Sequence, residues 1–222
     1  EKANKLANEK NINDICLSSF YRVTGEEVWD LGGKIIHRYT GGYMIELKDT
    51  SASLTLQNVV IDGARYSVAA ENAAETDSII KAANGGTIVL NSGAILQNNK
   101  AAQFGSGILA NNGVNVTMED GAIIRNNTNR NYELGGGILL GNGSTFTMNG
   151  GEISGNTATS NGGGVYVGGS KSTFTMNGNA SITGNTAKNG GGVGVYSGAT
   201  FEMNGNASIT DNNATTGNGG GV

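Results

Sequence analysis

Apolar and polar residues alternate in short blocks along most of the chain. Val165 and Val167 flank a tyrosine, and Phe174 and Met176 flank a threonine. A period of two is typical of β-strands, and no block shows the three-to-four-residue spacing of an amphipathic helix. Gly and Asn, which favour turns, separate the blocks. The pattern therefore predicts an all-β chain of short strands.

The blocks recur at nearly constant spacing. A GGGV or GGGI sequence begins at Gly135, Gly162, Gly190 and Gly219, at intervals of 27, 28 and 29 residues. A TFTMN-like block and then an ITGNTA-like block follow, and degenerate copies reach back to about residue 28. Such a period indicates stacked units, none of which buries its apolar side alone. Because all copies of one block must lie in register, the sequence predicts a right-handed parallel β-helix of six to seven coils of about 28 residues, with three short parallel sheets.

Equivalent residues of successive coils are expected to stack in columns. Each sheet supplies one inward apolar column to the core, and the predicted columns are Ile108, Ile138, Val165 and Val193 in the first, Leu54, Ile88, Val116, Phe146, Phe174 and Phe201 in the second, and Ile95, Ile123, Ile153, Ile182 and Ile209 in the third. An asparagine follows the third strand in five coils, and we predict a structural amide ladder of Asn98, Asn126, Asn156, Asn185 and Asn212.

The two ends of the chain differ in composition. Residues 1–27 are predicted to form an N-terminal cap and entry segment, with a short helix over residues 1–10, and residues 28–222 form the β-helix. The last four residues read GGGV, where a further strand would begin. We therefore expect further solenoid repeats or a partner chain to cover an open C-terminal end.

Composition narrows the function classes. The 222 residues include 38 Gly, no Pro and one Cys, and the net charge is −4. A collagen-like chain needs Pro and a three-residue Gly period, and one Cys forms neither an internal disulfide nor a thiolate metal cluster. The small net charge argues against nucleic acid as a partner, and no apolar run is long enough to span a membrane. We expect no metal and no cofactor.

Residues suited to catalysis are few. His37 is the only histidine, and Asp62 with Arg65 is the best remaining acid and base pair. Adjacent acids occur at Glu26 and Glu27 and at Glu119 and Asp120, where turns are expected. A solvated turn explains these acids better than a catalytic site does, so we expect no catalytic residue and no enzymatic activity.

Two outward columns are candidates for binding. Leu109, Leu139 and Tyr166 place apolar side chains on the first sheet and are the predicted ligand-binding residues. Threonines form two columns on the second sheet, Thr145, Thr173 and Thr200 beside Thr117, Thr147 and Thr175. A regular Thr array is the layout of ice-binding solenoids, which leaves ice binding as a minor alternative.

The units GGGVYV, TFTMNG and ITGNTA resemble the repeats of large cell-surface proteins of gut bacteria and some archaea. The GGxI and IxxN elements are more distantly similar to those of chlamydial polymorphic outer-membrane proteins. The first resemblance covers roughly residues 28 to 222. It implies a β-helix on or outside a microbial cell, with an adhesin-like role toward a host or environmental glycan or protein. A carbohydrate-active enzyme, either a polysaccharide lyase or a glycosidase-like β-helix, is the alternative.

Overall fold

A computed structural model describes residues 14–38, 41–65, 77–101, 104–130 and 134–222. These residues contain 25 β-strands and no helix. Every strand pair is parallel, and each strand pairs with the copy of the same block one coil away. The all-β parallel β-helix predicted from the repeats is therefore confirmed.

The largest of the three sheets, sheet A, has 13 strands and consists of two arms. Strands β3 and β5 are long enough to bend through both arms and join them. Arm 1 contains the TFTM-like strands, which are the first parts of β3 (Glu26–Arg38) and β5 (Ser53–Arg65), then β7 (Thr87–Leu90), β11 (Asn115–Met118), β15 (Thr145–Met148), β19 (Thr173–Met176) and β23 (Thr200–Met203). Arm 2 contains the ITG-like strands, which are β1 (Asp14–Leu17), the second parts of β3 and β5, β8 (Ala94–Gln97), β12 (Ile123–Arg125), β16 (Glu152–Ser154), β20 (Ser181–Thr183) and β24 (Ser208–Thr210).

The other two sheets are shorter. Sheet B holds seven strands from the GGGV-like blocks, β2 (Tyr21–Val23), β4 (Ile45–Leu47), β6 (Ile80–Ala82), β10 (Ile108–Ala110), β14 (Ile138–Leu140), β18 (Val165–Val167) and β22 (Val193–Val195). Sheet C holds five two-residue strands, β9 (Lys100–Ala101), β13 (Thr128–Asn129), β17 (Thr157–Ala158), β21 (Thr186–Ala187) and β25 (Asn213–Ala214). The prediction of three sheets is correct, but the second and third predicted sheets are the two arms of sheet A, and sheet C was not foreseen.

The core follows the predicted columns in sheet B and in arm 1. Phe146 and Phe174 are buried register partners, and their rings stack with centroids 4.8 Å apart. Phe201 stacks on Phe174 in the next coil at 5.1 Å. Each β-branched or aromatic residue thus packs on its own copy about 4.8 Å away, which lets one apolar stripe run the length of the solenoid.

In arm 2 the predicted inward column is wrong for two of its five members. Ile124 pairs with Leu96 and with Ile153, and all three are fully buried, whereas Ile95 and Ile123 are partly exposed on the outer face. Two apolar residues stand side by side in each of these strands, so alternation alone does not choose between them. A one-residue slip moves every side chain of a strand to the opposite face.

An asparagine ladder is present, but two of its five predicted members are wrong. Its side chains belong to Asn99, Asn127, Asn156, Asn185 and Asn212. Asn98 and Asn126, which were predicted as members, instead have positive φ values of 59° and 55°. Gly155 and Gly184 occupy the same left-handed turn position in later coils, because Asn and Gly tolerate that conformation best.

The ladder amides of the middle coils satisfy buried backbone groups and also bond to the next amide. The Nδ2 of Asn156 donates to Oδ1 of Asn185 and to the carbonyl of Ile124, and its Oδ1 accepts the backbone N–H of Asn127. The same three bonds recur at Asn185. A buried turn without such bonds would leave polar groups unpaired at considerable cost.

The solenoid strands begin before the predicted boundary at residue 28. β1 pairs with β3, and β2 pairs with β4. At this end Glu27 lies in an inward register position, where its carboxylate accepts bonds from Tyr21 Oη and Trp29 Nε1 at 3.2 and 2.9 Å. The helix predicted over residues 1–10 lies outside the described residues. At the other end of the described coils, Met203 is half exposed.

Candidate functional site

The outer face of sheet B carries the predicted column of apolar residues. Leu109, Leu139 and Tyr166 are register partners in three consecutive coils, and Gly194 follows them. Leu109 and Tyr166 are half-buried. Leu139, between them, is only 7 % exposed. The contact area on this face therefore lies mainly on Leu109 and Tyr166.

Tyr196 extends this surface, and the sequence reasoning missed it. Its ring stacks on that of Tyr166 with centroids 5.3 Å apart and an interplanar angle of 16°. Two glycines leave space for the rings. A Cβ at Gly168 would lie 2.5 Å from Cε1 of Tyr166, and a Cβ at Gly194 would lie 2.9 Å from Cε2 of Tyr196. The spacing of Tyr196, which follows the VGV strand rather than standing within it, concealed its pairing with Tyr166.

Amide groups border the Tyr pair. Tyr196 Oη donates to Oδ1 of Asn161 at 2.8 Å, and Nδ2 of Asn189 donates to the same oxygen at 3.0 Å. The Tyr166 hydroxyl has no hydrogen-bond partner among the described residues, although a half-buried tyrosine usually finds one. Burial, and secondarily the neighbouring Tyr196, raises the pKa of Tyr166 above its ordinary value. We call Tyr166, Tyr196, Asn161 and Asn189 the Tyr–Asn cluster.

The N-terminal part of the same face is charged and internally paired. Arg22 Nε lies 2.8 Å from Glu46 Oε2, and Lys81 Nζ lies 3.7 Å from Glu46 Oε1. Arg22 also stands over the ring of Phe20, and Lys81 over that of Tyr43. The outer face of sheet B thus changes along the solenoid from an ion-paired cluster with two cations and one carboxylate to an apolar and aromatic surface.

Arm 1 presents the predicted threonine columns. Thr145, Thr173 and Thr200 are register partners, as are Thr117, Thr147 and Thr175. Glu202 continues the second column after Thr175, and Asn115 precedes Thr145 in the first. A third column beside them holds Asn149, Asn177 and Asn204, whose side-chain amides are linked at 3.3 and 3.1 Å. This face is regular and polar.

The outer face of arm 2 carries a column of polar and ionisable side chains. Cys16, His37, Asp62, Gln97 and Arg125 occupy one outward column in successive coils. Asp62 accepts bonds from Nε2 of Gln97 and Nδ2 of Asn98 at 3.1 and 3.0 Å, and His37 Nε2 lies 3.8 Å from Asp14 Oδ1. The side chain of Arg65, the predicted partner of Asp62, lies outside the described part.

One acid of each predicted pair accepts hydrogen bonds from neighbouring side chains. Glu27 accepts the bonds from Tyr21 and Trp29 described above, and Oε1 of Glu119 accepts Nδ2 of Asn149 at 2.9 Å. Among the described residues, no group of three or more His, Cys, Asp and Glu side chains is placed to hold a metal ion.

An outward aliphatic stripe on arm 2 was also missed. Ile35, Val60, Ile95 and Ile123 are register partners in four consecutive coils, and all are partly exposed. Glu152 and Ser181 continue the column, so the stripe ends there. It was missed because Ile95 and Ile123 had been assigned to the core.

No helix in the described ranges is long and apolar enough to cross a membrane. Comparison of the chain with protein-family models, with curated proteins and with solved structures finds no match.

Proposed function

We propose that this protein is an adhesin-like structural and binding module, secreted or held at a microbial cell surface, that presents the outer face of sheet B to a host or environmental ligand. The observation that carries the proposal is the surface formed by Leu109, Tyr166 and Tyr196. These residues lie in neighbouring coils of a repetitive scaffold, and such an aromatic surface is typical of contact sites.

The rest of the solenoid supports this choice of face. Arm 1 is covered by threonine and asparagine, and many of its amides already bond to one another. At the N-terminal part of sheet B, Arg22 and Lys81 are both held by ion pairs to the single carboxylate of Glu46. The apolar part of sheet B combines large side chains with a rigid parallel sheet beneath them, so a ligand that binds there orders few protein groups.

The test is an array of glycans and extracellular-matrix proteins probed with the full chain and with a Leu109→Ser, Tyr166→Ser variant. The expected result is specific binding that the variant loses. Ile123→Ser, which removes a large, partly exposed apolar side chain from the outer face of arm 2, serves as the control and should bind as the parent does. Binding that survives in the double variant, or the absence of any ligand on the array, would contradict the proposal.

A carbohydrate-active enzyme is the second candidate, and the outward column of arm 2 favours it. Asp14 and Asp62 lie on either side of His37 in successive coils, and paired carboxylates are the chemistry that glycosidases need. Release of reducing ends from a polysaccharide panel, lost in Asp62→Asn and kept in Asp30→Asn, is the result that would establish this candidate. Asp30 is a suitable control because it is also an outward aspartate that accepts bonds from Gln and Asn side chains.

A further inference from the structure

We propose that the Tyr–Asn cluster is a binding site for a neutral glycan. This inference rests on the function proposed above and names the class of ligand for it. Three features of the cluster carry it: a built aromatic pair, unsatisfied hydroxyl and amide groups beside the rings, and an uncharged setting.

The aromatic pair is built into the backbone rather than being two tyrosines that happen to lie close together. Gly168 and Gly194 leave the space into which the rings of Tyr166 and Tyr196 fold back, and any larger residue would displace the rings. Tyr166 belongs to the strand of one coil, and Tyr196 follows the strand of the next. The C–H faces of a pyranose pack against such rings, because both surfaces are apolar and rigid.

Polar groups for sugar hydroxyls stand beside the rings. The Tyr166 hydroxyl has no protein partner in the described part of the chain. Asn161 Nδ2 donates one bond, to Ser160 Oγ at 3.0 Å, and Asn189 Nδ2 donates one bond, to Asn161 Oδ1. Each amide has a second N–H to donate, so the cluster offers several donors within reach of the rings. A purely apolar ligand would leave these groups unpaired, whereas a sugar would satisfy them.

The setting selects a neutral ligand. The residues that contact the Tyr pair, namely Asn161, Gly168 and Gly194, are uncharged. Residues 135 to 222 contain five charged side chains in all, which are Glu152, Lys171, Lys188, Glu202 and Asp211. Acidic glycans need a cation or several directed donors at their carboxylate, and the cluster supplies no cation.

Binding of neutral oligosaccharides tests the inference. Gluco-, galacto- and N-acetylglucosamine oligomers are titrated calorimetrically against the full chain and against Tyr166→Phe, Tyr196→Phe and Gly168→Ala. Gly168→Ala moves the Tyr166 ring while meeting only side-chain atoms. Gly141→Ala, the equivalent glycine one coil earlier, would meet Oδ1 of Asn111 at 2.7 Å and serves as the matched control.

The expected result is an oligosaccharide that binds the parent and Gly141→Ala equally and binds Gly168→Ala about tenfold more weakly, as for loss of a central aromatic contact. Tyr166→Phe should bind severalfold more weakly, since only its hydroxyl is removed. Equal binding by Gly168→Ala and Gly141→Ala would overturn the inference. If a protein or an acidic glycan binds the sheet B face and neutral sugars do not, the proposed function stands and this inference fails. If no ligand binds that face, both fail.

Discussion

The side-chain amide of Asn156 donates to Oδ1 of Asn185 at 3.0 Å, and Asn185 makes the same bond to Asn212 one coil later. The ladder ties consecutive coils together at a buried turn, so it stabilises the stack where there is no apolar column. A chain with few aromatic residues and one cysteine depends on such repeated bonds in addition to its narrow core.

Removing one rung is therefore expected to destabilise the fold strongly. Asn156→Ala leaves the buried N–H of Asn127, the carbonyl of Ile124 and the Oδ1 of Asn185 each short of a bond. The free energy of unfolding should fall by about 3 kcal/mol, measured by chemical denaturation. Asn177→Ala, in the exposed amide column of arm 1, should change it by no more than about 0.5 kcal/mol. Equal losses in the two variants would contradict a structural role for the buried ladder.

The corrected register of arm 2 gives a second prediction. Ile124 is fully buried and its neighbour Ile123 is not. Ile124→Ala should lower the free energy of unfolding by about 2–5 kcal/mol, since it leaves a cavity between Leu96 and Ile153. Ile123→Ala should lower it by roughly 1 kcal/mol or less. If Ile123→Ala proved more destabilising than Ile124→Ala in denaturant melts, the register predicted from the sequence would be correct.

The wrong members of the arm 2 core column and the wrong members of the asparagine ladder have one origin. The copies ending at Asn99 and Asn127 contain a pair of asparagines where later coils have one, and a pair of apolar residues where later coils have one. Choosing the first asparagine of each pair shifted the strand by one residue. That shift placed Ile95 and Ile123 in the core and Asn98 and Asn126 in the ladder.

The predictable parts are those that the repeats specify more than once. In the copies that read TFTM and VYV, apolar residues stand at alternate positions, so these copies define the inward columns of arm 1 and sheet B. Sheet C is formed by strands of two residues, too short to show a period. The pairing of Tyr166 with Tyr196 depends on ring orientation over Gly168 and Gly194, which no linear pattern contains.

The glycines that flank the sheet B strands differ in how much they tolerate a side chain. A Cβ at Gly163 would overlap the carbonyl oxygen of Gly191 in the next coil and lie 2.6 Å from the carbonyl oxygen of Thr186. Gly163→Ala should therefore push two coils apart and lower the free energy of unfolding by about 3 kcal/mol. Gly141→Ala, which meets only side-chain atoms, should cost less than about 1 kcal/mol. Thermal unfolding of the two variants distinguishes these effects. Similar melting temperatures would contradict the prediction, because they would mean that the backbone near Gly163 moves aside at little cost.

The carboxylate of Asp30 gives a prediction that depends on pH. Nε2 of Gln57 donates to it at 2.7 Å, and Nδ2 of Asn58 and the N–H of Gly32 donate at 3.2 and 3.3 Å. These bonds hold the pKa of Asp30 below its ordinary value, and the bond from Gln57 contributes most. Because the folded pKa is depressed, the stabilisation is present above the unfolded pKa and is lost as the pH falls through the folded pKa.

Gln57→Leu should raise the pKa of Asp30 toward its ordinary value, because the largest contribution to the shift is removed. Carbon-detected NMR titration of the side-chain carboxyl measures this directly. Gln97→Leu is the matched control, since Gln97 is also an outward glutamine that donates to an aspartate, Asp62, which lies one coil after Asp30 in the other arm of sheet A. It should leave the Asp30 titration unchanged. An Asp30 midpoint that moves equally in both variants would mean that the shift comes from the field of the whole face rather than from the bond to Gln57.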